Sequence, residues 1–274
     1  MILASSALGN MGADEAAAVL RFGEAPKGEG TWAGRRILWI DGKAAFELTF
    51  WCGTCPVLFQ RLEGATRTLS VAALEDRLSR GLSGIDSDVL AAFAGLLPAA
   101  AYMPMLLRVT PRLVTPVAED DYFAHEQVAT WGMDSFWGLP ENPRTPYYRT
   151  FETPVSASAH LYEFVVPMVP PTWNDRARVQ RHAQALETGS LPAAVAVSTL
   201  DISQPAMADD GSDYYAHWAL THFLLDGHHK LEAAAATRRP LQLLALIAAD
   251  ASLAGEADIR RLPDIRAQEP RQRQ

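Results

Sequence analysis

Ala219-Leu220-Thr221-His222-Phe223-Leu224-Leu225-Asp226-Gly227-His228-His229-Lys230-Leu231-Glu232-Ala233-Ala234-Ala235-Ala236 is the stretch from which the fold is read. Ala219 to Leu225 is a β-type apolar run, Asp226-Gly227 is a turn signal, and Leu231 to Ala236 has the composition of a helix. Pro240 then forces a break, and Leu241 to Ala248 reads as a final buried strand. A strand that hands over to a helix aims backbone N–H groups and the positive end of the helix dipole at one point outside the sheet, where anions bind. Gly227 lets a phosphate approach the main chain with no Cβ in the way, while His228, His229 and Lys230 are donors for its oxygens. Asp226 is placed to hold Mg²⁺ or a ribose hydroxyl. The competing reading is a capped loop, since Asp-Gly marks turns readily.

Upstream, Leu161 to Met168 is a short apolar β-type run. Thr172 or Asn174 can cap a helix whose apolar positions Val179, Ala183 and Leu186 fall at i, i+4 and i+7, with Gly189 just past its end. Ala193 to Thr199 is a further strand, and Asp201 to Tyr215 is a polar insertion containing Asp209, Asp210 and Asp213. The order over this region is β-α-β-β-α-β. From Glu256 onward, Pro and Arg with few apolar residues predict a frayed, flexible tail over 256–274.

The first half is less regular. Asp14 to Leu20 is Ala-rich and predicts a short helix, followed by a turn-rich run from Gly23 to Gly34. Arg36 to Trp51 reads as a β-hairpin around Asp41-Gly42, with Phe46, Leu48 and Phe50 on one face. Val57, Leu58 and Leu62, then Val71, Leu74 and Leu78, recur at helical spacing, and Leu82 to Met105 is expected to be helical in part, limited by Pro98 and Pro104. Residues 110–155 combine six prolines with Trp131, Phe136, Trp137, Tyr147 and Tyr148, which suggests a packed connection between domains. The expected architecture is α+β, with a β-hairpin and helix module over residues 1–150 and the β-α-β-β-α-β unit over 151–255.

The chain has 274 residues, 49% hydrophobic and 20% charged, so disorder and fibrous structure are excluded. Lys and Arg number 24 against 32 acids, a net charge of −8, which provides no general field for gathering nucleic acid. No apolar run reaches the roughly 18 residues of a membrane span, and Met1 to Asn10 lacks the pattern of a leader, so a cytoplasmic location is expected.

The Phe223–Ala235 run, preceded by Ala185-Leu-Glu-Thr-Gly-Ser-Leu-Pro-Ala-Ala-Val-Ala-Val and followed by Pro240-Leu-Gln-Leu-Leu-Ala-Leu-Ile, resembles the ParB/sulfiredoxin-like superfamily over about residues 160–250. In that family a strand leads into an Asp-Gly-His-His-Arg or Gly-Xaa-His-Arg turn that binds nucleotide phosphate. Sulfiredoxins carry a cysteine directly after the glycine, where this chain has His228, so the attacking thiolate of sulfinic-acid repair is missing. Chromosome-partition members continue into a helix-turn-helix module. Here only about two dozen residues follow the last strand, and DNA binding is disfavoured. The free-serine kinases of the superfamily carry the most similar turn, although Lys230 stands where arginine is usual and offers a point charge in place of a bidentate fork.

The resemblance implies a phosphotransferase that uses ATP or ADP, with or without Mg²⁺, on a small hydroxylated metabolite. Phosphoryl transfer needs phosphate cradling, charge neutralisation and a base beside the acceptor oxygen. Glu163, an acid among apolar neighbours in Leu161-Tyr162-Glu163-Phe164, is the candidate base, since burial would raise its pKa toward a useful value. Its alternative is an outward-facing strand glutamate, and Asp201 and Asp175 are reserves. A non-catalytic nucleotide-sensing or interaction module would use the same turn without turnover.

Trp51-Cys52-Gly53-Thr54-Cys55-Pro56 resembles the thioredoxin-type Trp-Cys-Gly-Xaa-Cys motif. Three readings of Cys52 and Cys55 stand side by side: a redox pair making the chain a thiol oxidoreductase, half of a metal site, or structural thiols. His217 and His222, five apart before the turn, are candidates for a further phosphate or substrate contact, and Trp218 between them is expected in the core.

Overall fold

Strands β10 (Ala159–Pro167), β11 (Ala193–Ser203), β12 (Ala216–Asp226) and β13 (Leu241–Ala248) are the middle of a computed structural model that describes residues 1–25, 36–48, 59–115, 118, 120–121, 123–124, 145–203 and 216–267. β10 runs parallel to β12 with Leu161 opposite Trp218, β11 runs antiparallel to β12 with Leu200 opposite Leu220, and β11 runs parallel to β13 with Ala196 opposite Ala245. Helices α3 (Arg176–Glu187) and α4 (His228–Thr237) connect them, so the order read from the sequence, β-α-β-β-α-β, is the order observed. Asp175 caps α3 by accepting from Arg178 N–H, and Gly189 just past its end has the positive φ expected there.

The sheet is larger than that unit. β9 (Tyr147–Ser156) pairs with β10, and β8 (Arg112–Val114) pairs with β9. On the other side β7 (Ala100–Val109) pairs with β13, and β1 (Ile2–Ser5) and β2 (Gly9–Met11) share the far edge of β7, giving nine described strands. Pro104 is tolerated within β7 because β1 pairs with residues 105–107 and β2 with 100–102, so the missing N–H falls in the gap between them. A smaller antiparallel sheet contains β3 (Leu20–Glu24), β4 (Arg36–Ile40), β5 (Lys43–Glu47) and β6 (Gln60–Arg61). Asp41 and Gly42 both have positive φ at its hairpin, which matches the twist of the flanking strands. Helices α1 (Glu75–Arg80) and α2 (Ser87–Ala94) follow, the second capped by Asp86.

Both faces of the large sheet are covered, which is why its central strands are continuous apolar runs rather than alternating ones. Val195, Val197 and Phe223 face the small sheet and pack with Leu38 and Phe46, the rings of Phe46 and Phe223 lying 5.3 Å apart. Ala194, Ala196, Leu220 and Leu224 face the helices and meet Leu186, Leu231 and residues of α5 (Glu256–Ala267).

Several expectations are corrected. Residues 256–267, expected as a frayed tail, form α5, because Ile259, Leu262 and Ile265 supply an apolar stripe that is buried on the sheet. The rest of that tail, 268–274, lies outside the described residues. The boundary expected near residue 150 runs through β9, and β1, β2, β7 and β8 share a sheet with β9–β13, so the two halves have common cores. Asp14 to Leu20 contributes turns ahead of β3, not a helix, and the 57–62 stretch gives β6 at its described end. Within Leu82–Met105 only α2 is helical. Tyr102 to Leu107 is buried on both faces as strand, and such a run has no periodicity to separate it from a buried helix.

α5 touches both β1 and β9, which stand near opposite ends of the strand order, so the sheet curls around it. Its fastening is ionic: Arg266 Nε and Nη2 donate to the two oxygens of Glu163 at 2.6 and 3.0 Å, with both side chains fully buried. Thr150 Oγ1 donates to the same carboxylate at 2.5 Å, and the guanidinium lies over the Phe151 ring at 3.9 Å. Removing one partner of such a pair strands a buried charge, so Glu163→Gln or Arg266→Met is expected to destabilise the fold by about 3–5 kcal/mol in denaturant titrations. Arg266 holds the Glu163 carboxyl well below the ordinary 4.5, against the opposing effect of burial. A depressed folded-state value means that the contribution is present above pH 4.5 and lost as pH falls below it. The unfolding midpoint of Glu163→Gln should therefore vary less with pH in that acid range than that of the parent chain.

Candidate functional site

β12 ends at Asp226, the backbone turns at Gly227 with φ 98°, and α4 begins at His228. A Cβ on residue 227 would lie 2.6 Å from Ala194 Cβ and 3.0 Å from Ala194 Cα, so glycine is demanded by the close passage of β11 as well as by the positive φ. No side chain caps α4, and its first intrahelical bond is Leu231 N–H to Gly227 O, which leaves the amides of its first turn directed out of the helix end.

The side chains of the turn are more occupied than the sequence suggests. His228 is buried, and its Nε2 accepts the Met168 N–H at 3.0 Å. His229 is half-buried, and its Nε2 accepts the Asp175 N–H at 3.1 Å. An imidazole nitrogen that accepts has no proton, so in both rings the proton is assigned to Nδ1. The Nδ1 of His228 is buried without a partner. Lys230 is turned inward: its Nζ donates to Ala193 O at 3.0 Å and to Asp226 Oδ2 at 3.3 Å, and burial lowers its pKa. The expectation that His228 and Lys230 face a ligand is thereby corrected, because both are spent on holding strand ends together.

The corner gains groups the sequence reading passed over. Glu232 accepts from Asn174 Nδ2 at 2.7 Å and from both terminal nitrogens of Arg176 at 2.6 and 2.8 Å, which ties the start of α3 to α4. Two helix N-termini, with their positive dipole ends, are thus fastened side by side. His182 on α3 lies close enough to Lys230, His229, Arg178 and Arg181 for those groups to act on it, and burial followed by these basic neighbours lowers its pKa to about 4. Its position one turn beyond Arg178 on the same helix face was the available sequence signal.

The other candidates lie elsewhere. Glu163 pairs in register with Leu220, six residues before Asp226 on a parallel neighbour, which is about 20 Å from the turn along the strand. It is buried as expected, and burial alone would raise its pKa, yet Arg266 and His222 together bring it down, so it is neither a raised-pKa base nor an outward-facing glutamate. Its surroundings include His222, whose Nδ1 is 2.7 Å from Ser198 Oγ and whose Nε2 is 3.9 Å from Glu163. His217 faces the other side of the sheet beside Tyr162 and Phe123, so the two histidines share no site. Trp218 is buried, as expected, beneath the Arg261 guanidinium. Asp201 accepts from Arg36 at 3.1 Å through both oxygens and from Leu253 N–H. Of the reserves, only Asp175 is at the corner. Cys52 and Cys55, and the acidic run Asp209, Asp210 and Asp213, lie outside the described residues. Among the described residues, no group of three or more His, Cys, Asp or Glu side chains is arranged to hold a metal.

Two outcomes follow. Gly227→Ala should cost about 2–4 kcal/mol, from the unfavourable φ and the overlap with Ala194, and Ala194→Gly should recover part of it in chemical denaturation. Burial also lowers the pKa of His228 to about 3 and that of His217 to about 4. Between pH 6.5 and 4 the unfolded chain binds protons that these folded imidazoles refuse, so the thermal midpoint should fall steadily over that interval, and a flat profile would contradict their burial as neutral rings. No family model, curated protein or solved structure matches this chain.

Proposed function

We propose that the corner between β12 and α4 binds the phosphate of a nucleotide, ATP or ADP, in a ParB/sulfiredoxin-like unit, and that the chain transfers a phosphoryl group to a small hydroxylated metabolite. The observation that carries this reading is the joining of the α3 and α4 N-termini beside His182, His229 and Arg178. Uncapped first-turn amides and the Nδ1–H of His229 are the donors for phosphate oxygens, and the inward Lys230 adds charge from behind. Asp226 is the carboxylate at hand for Mg²⁺ or for the proton of the acceptor hydroxyl, since Glu163 is distant and committed to Arg266.

That same commitment of Glu163 favours a second reading, a nucleotide-sensing module without turnover. Product analysis separates the two: a phosphorylated metabolite supports transfer, and tight nucleotide binding with no product over hours supports sensing.

The full chain should gain thermal stability with ATP or ADP, with and without Mg²⁺, by about 2.7 kcal/mol at 100 times the dissociation constant. His229→Ala and His182→Ala should each weaken binding about tenfold, the worth of one hydrogen bond to a charged group. An unchanged midpoint with both nucleotides would remove the nucleotide reading altogether.

A further inference from the structure

Arg178 Nη2 donates to Glu75 Oε1 at 2.5 Å, an ion pair between the first turn of α3 and the first residue of α1. The two residues are 103 apart in sequence and come from opposite faces of the large sheet: Leu74 and Leu78 pack the α1 segment on the side of the small sheet, while Leu186 packs α3 on the other. α1 reaches the corner because the chain that leaves β6 passes the carboxyl end of β12, where Leu69 N–H donates to Leu225 O, and α1 then touches β11.

Among the described residues three ion pairs stand at this corner, and they are held unequally. Arg176 gives Glu232 two hydrogen bonds and Pro171 O another, and Lys230 is buried against Asp226. Arg178 and Glu75 share a single hydrogen bond, with side chains 42% and 60% exposed. Water competes for both partners of an exposed pair, so such pairs hold weakly. Arg178 is also close enough to His229 and His182 to act on both imidazoles, and Glu75 is close enough to act on Lys230. A carboxylate presents a guanidinium with the same two-oxygen edge that a phosphate presents, with less charge behind it. Once released, Glu75 remains at the start of α1, where the helix dipole suits an acid.

We propose that Glu75 is an internal competitor for the phosphate: it holds Arg178 while the corner is empty and yields that guanidinium to an incoming phosphate, so that ligands more highly charged than a carboxylate are favoured. This role rests on the nucleotide reading of the corner and adds to it a positioning residue from the opposite face of the sheet.

The test is calorimetry of the full chain with ADP, pyrophosphate and adenosine. Glu75→Gln should bind ADP and pyrophosphate about fivefold more tightly than the parent, the ratio that corresponds to the stronger exposed pairs. Adenosine, which has no phosphate, should distinguish the two chains not at all. Arg178→Gln should weaken ADP binding about tenfold, and adding Glu75→Gln to it should recover little, since the acid acts through that guanidinium. Both side chains are exposed, so neither change disturbs the core. ADP binding that is unaltered in Glu75→Gln overturns the proposal and leaves the nucleotide reading standing, as does a gain that extends to adenosine or persists in full without Arg178. Absence of ADP and pyrophosphate binding from every chain removes the nucleotide reading and the competitor with it.

Discussion

A sheet covered on both faces must attach each covering layer through a surface that has no water, and here each attachment includes one buried arginine–carboxylate pair. Arg266 on α5 meets Glu163 on one face, and Arg36 on β4 meets Asp201 on the other. Apolar contact supplies most of the attraction between layers but little that distinguishes one sliding position from the next. Two oppositely placed ion pairs, each with two hydrogen bonds between its partners, do distinguish them: a shift of one residue would leave a charge buried without its counterion. The curl of the sheet around α5 and the position of the small sheet against β11 and β12 both follow from these anchor points.

The corner at the end of β12 depends on that arrangement indirectly. With the strands held, β11 passes so near residue 227 that only glycine fits, and the two helices that leave the sheet there begin next to each other. His228 and His229 then serve as acceptors for main-chain N–H groups of neighbouring segments. With these imidazole nitrogens accepting, and Arg176 and Arg178 paired with Glu232 and Glu75, the corner offers peptide dipoles rather than imidazolium charge.

The second half of the chain was legible because its elements are of ordinary length and its turns are marked. Gly189 and Gly227 stand at boundaries where a positive φ favours glycine, Pro240 stands at the break before β13, and Leu241–Ala248 has the bounds that its apolar run suggests. β7 was missed since Tyr102 to Leu107 is apolar on both faces and carries no period, and α5 was missed since a helix with Pro263 and few apolar residues looks like a tail until Ile259, Leu262 and Ile265 are aligned. Of the site, the sequence supplied the turn but not the direction of its side chains. Whether His228 donates to a ligand or accepts from Met168 depends on a segment sixty residues away. The partner of Glu163 lies farther still in sequence, and an isolated carboxylate in an apolar run invites the idea of a raised pKa that Arg266 and His222 together reverse.

That last separation has a temporal meaning. Glu163 and Arg266 are 103 residues apart, so at the roughly 5–20 residues per second of synthesis the carboxylate waits about 5–20 s for its counterion. During that interval β9–β13 can pair, but the face that α5 will occupy contains a carboxylate with no cation beside it, and water must remain there. Closure of the helical side is therefore the late event in the life of a nascent chain, and that half-built surface is the one a chaperone would meet.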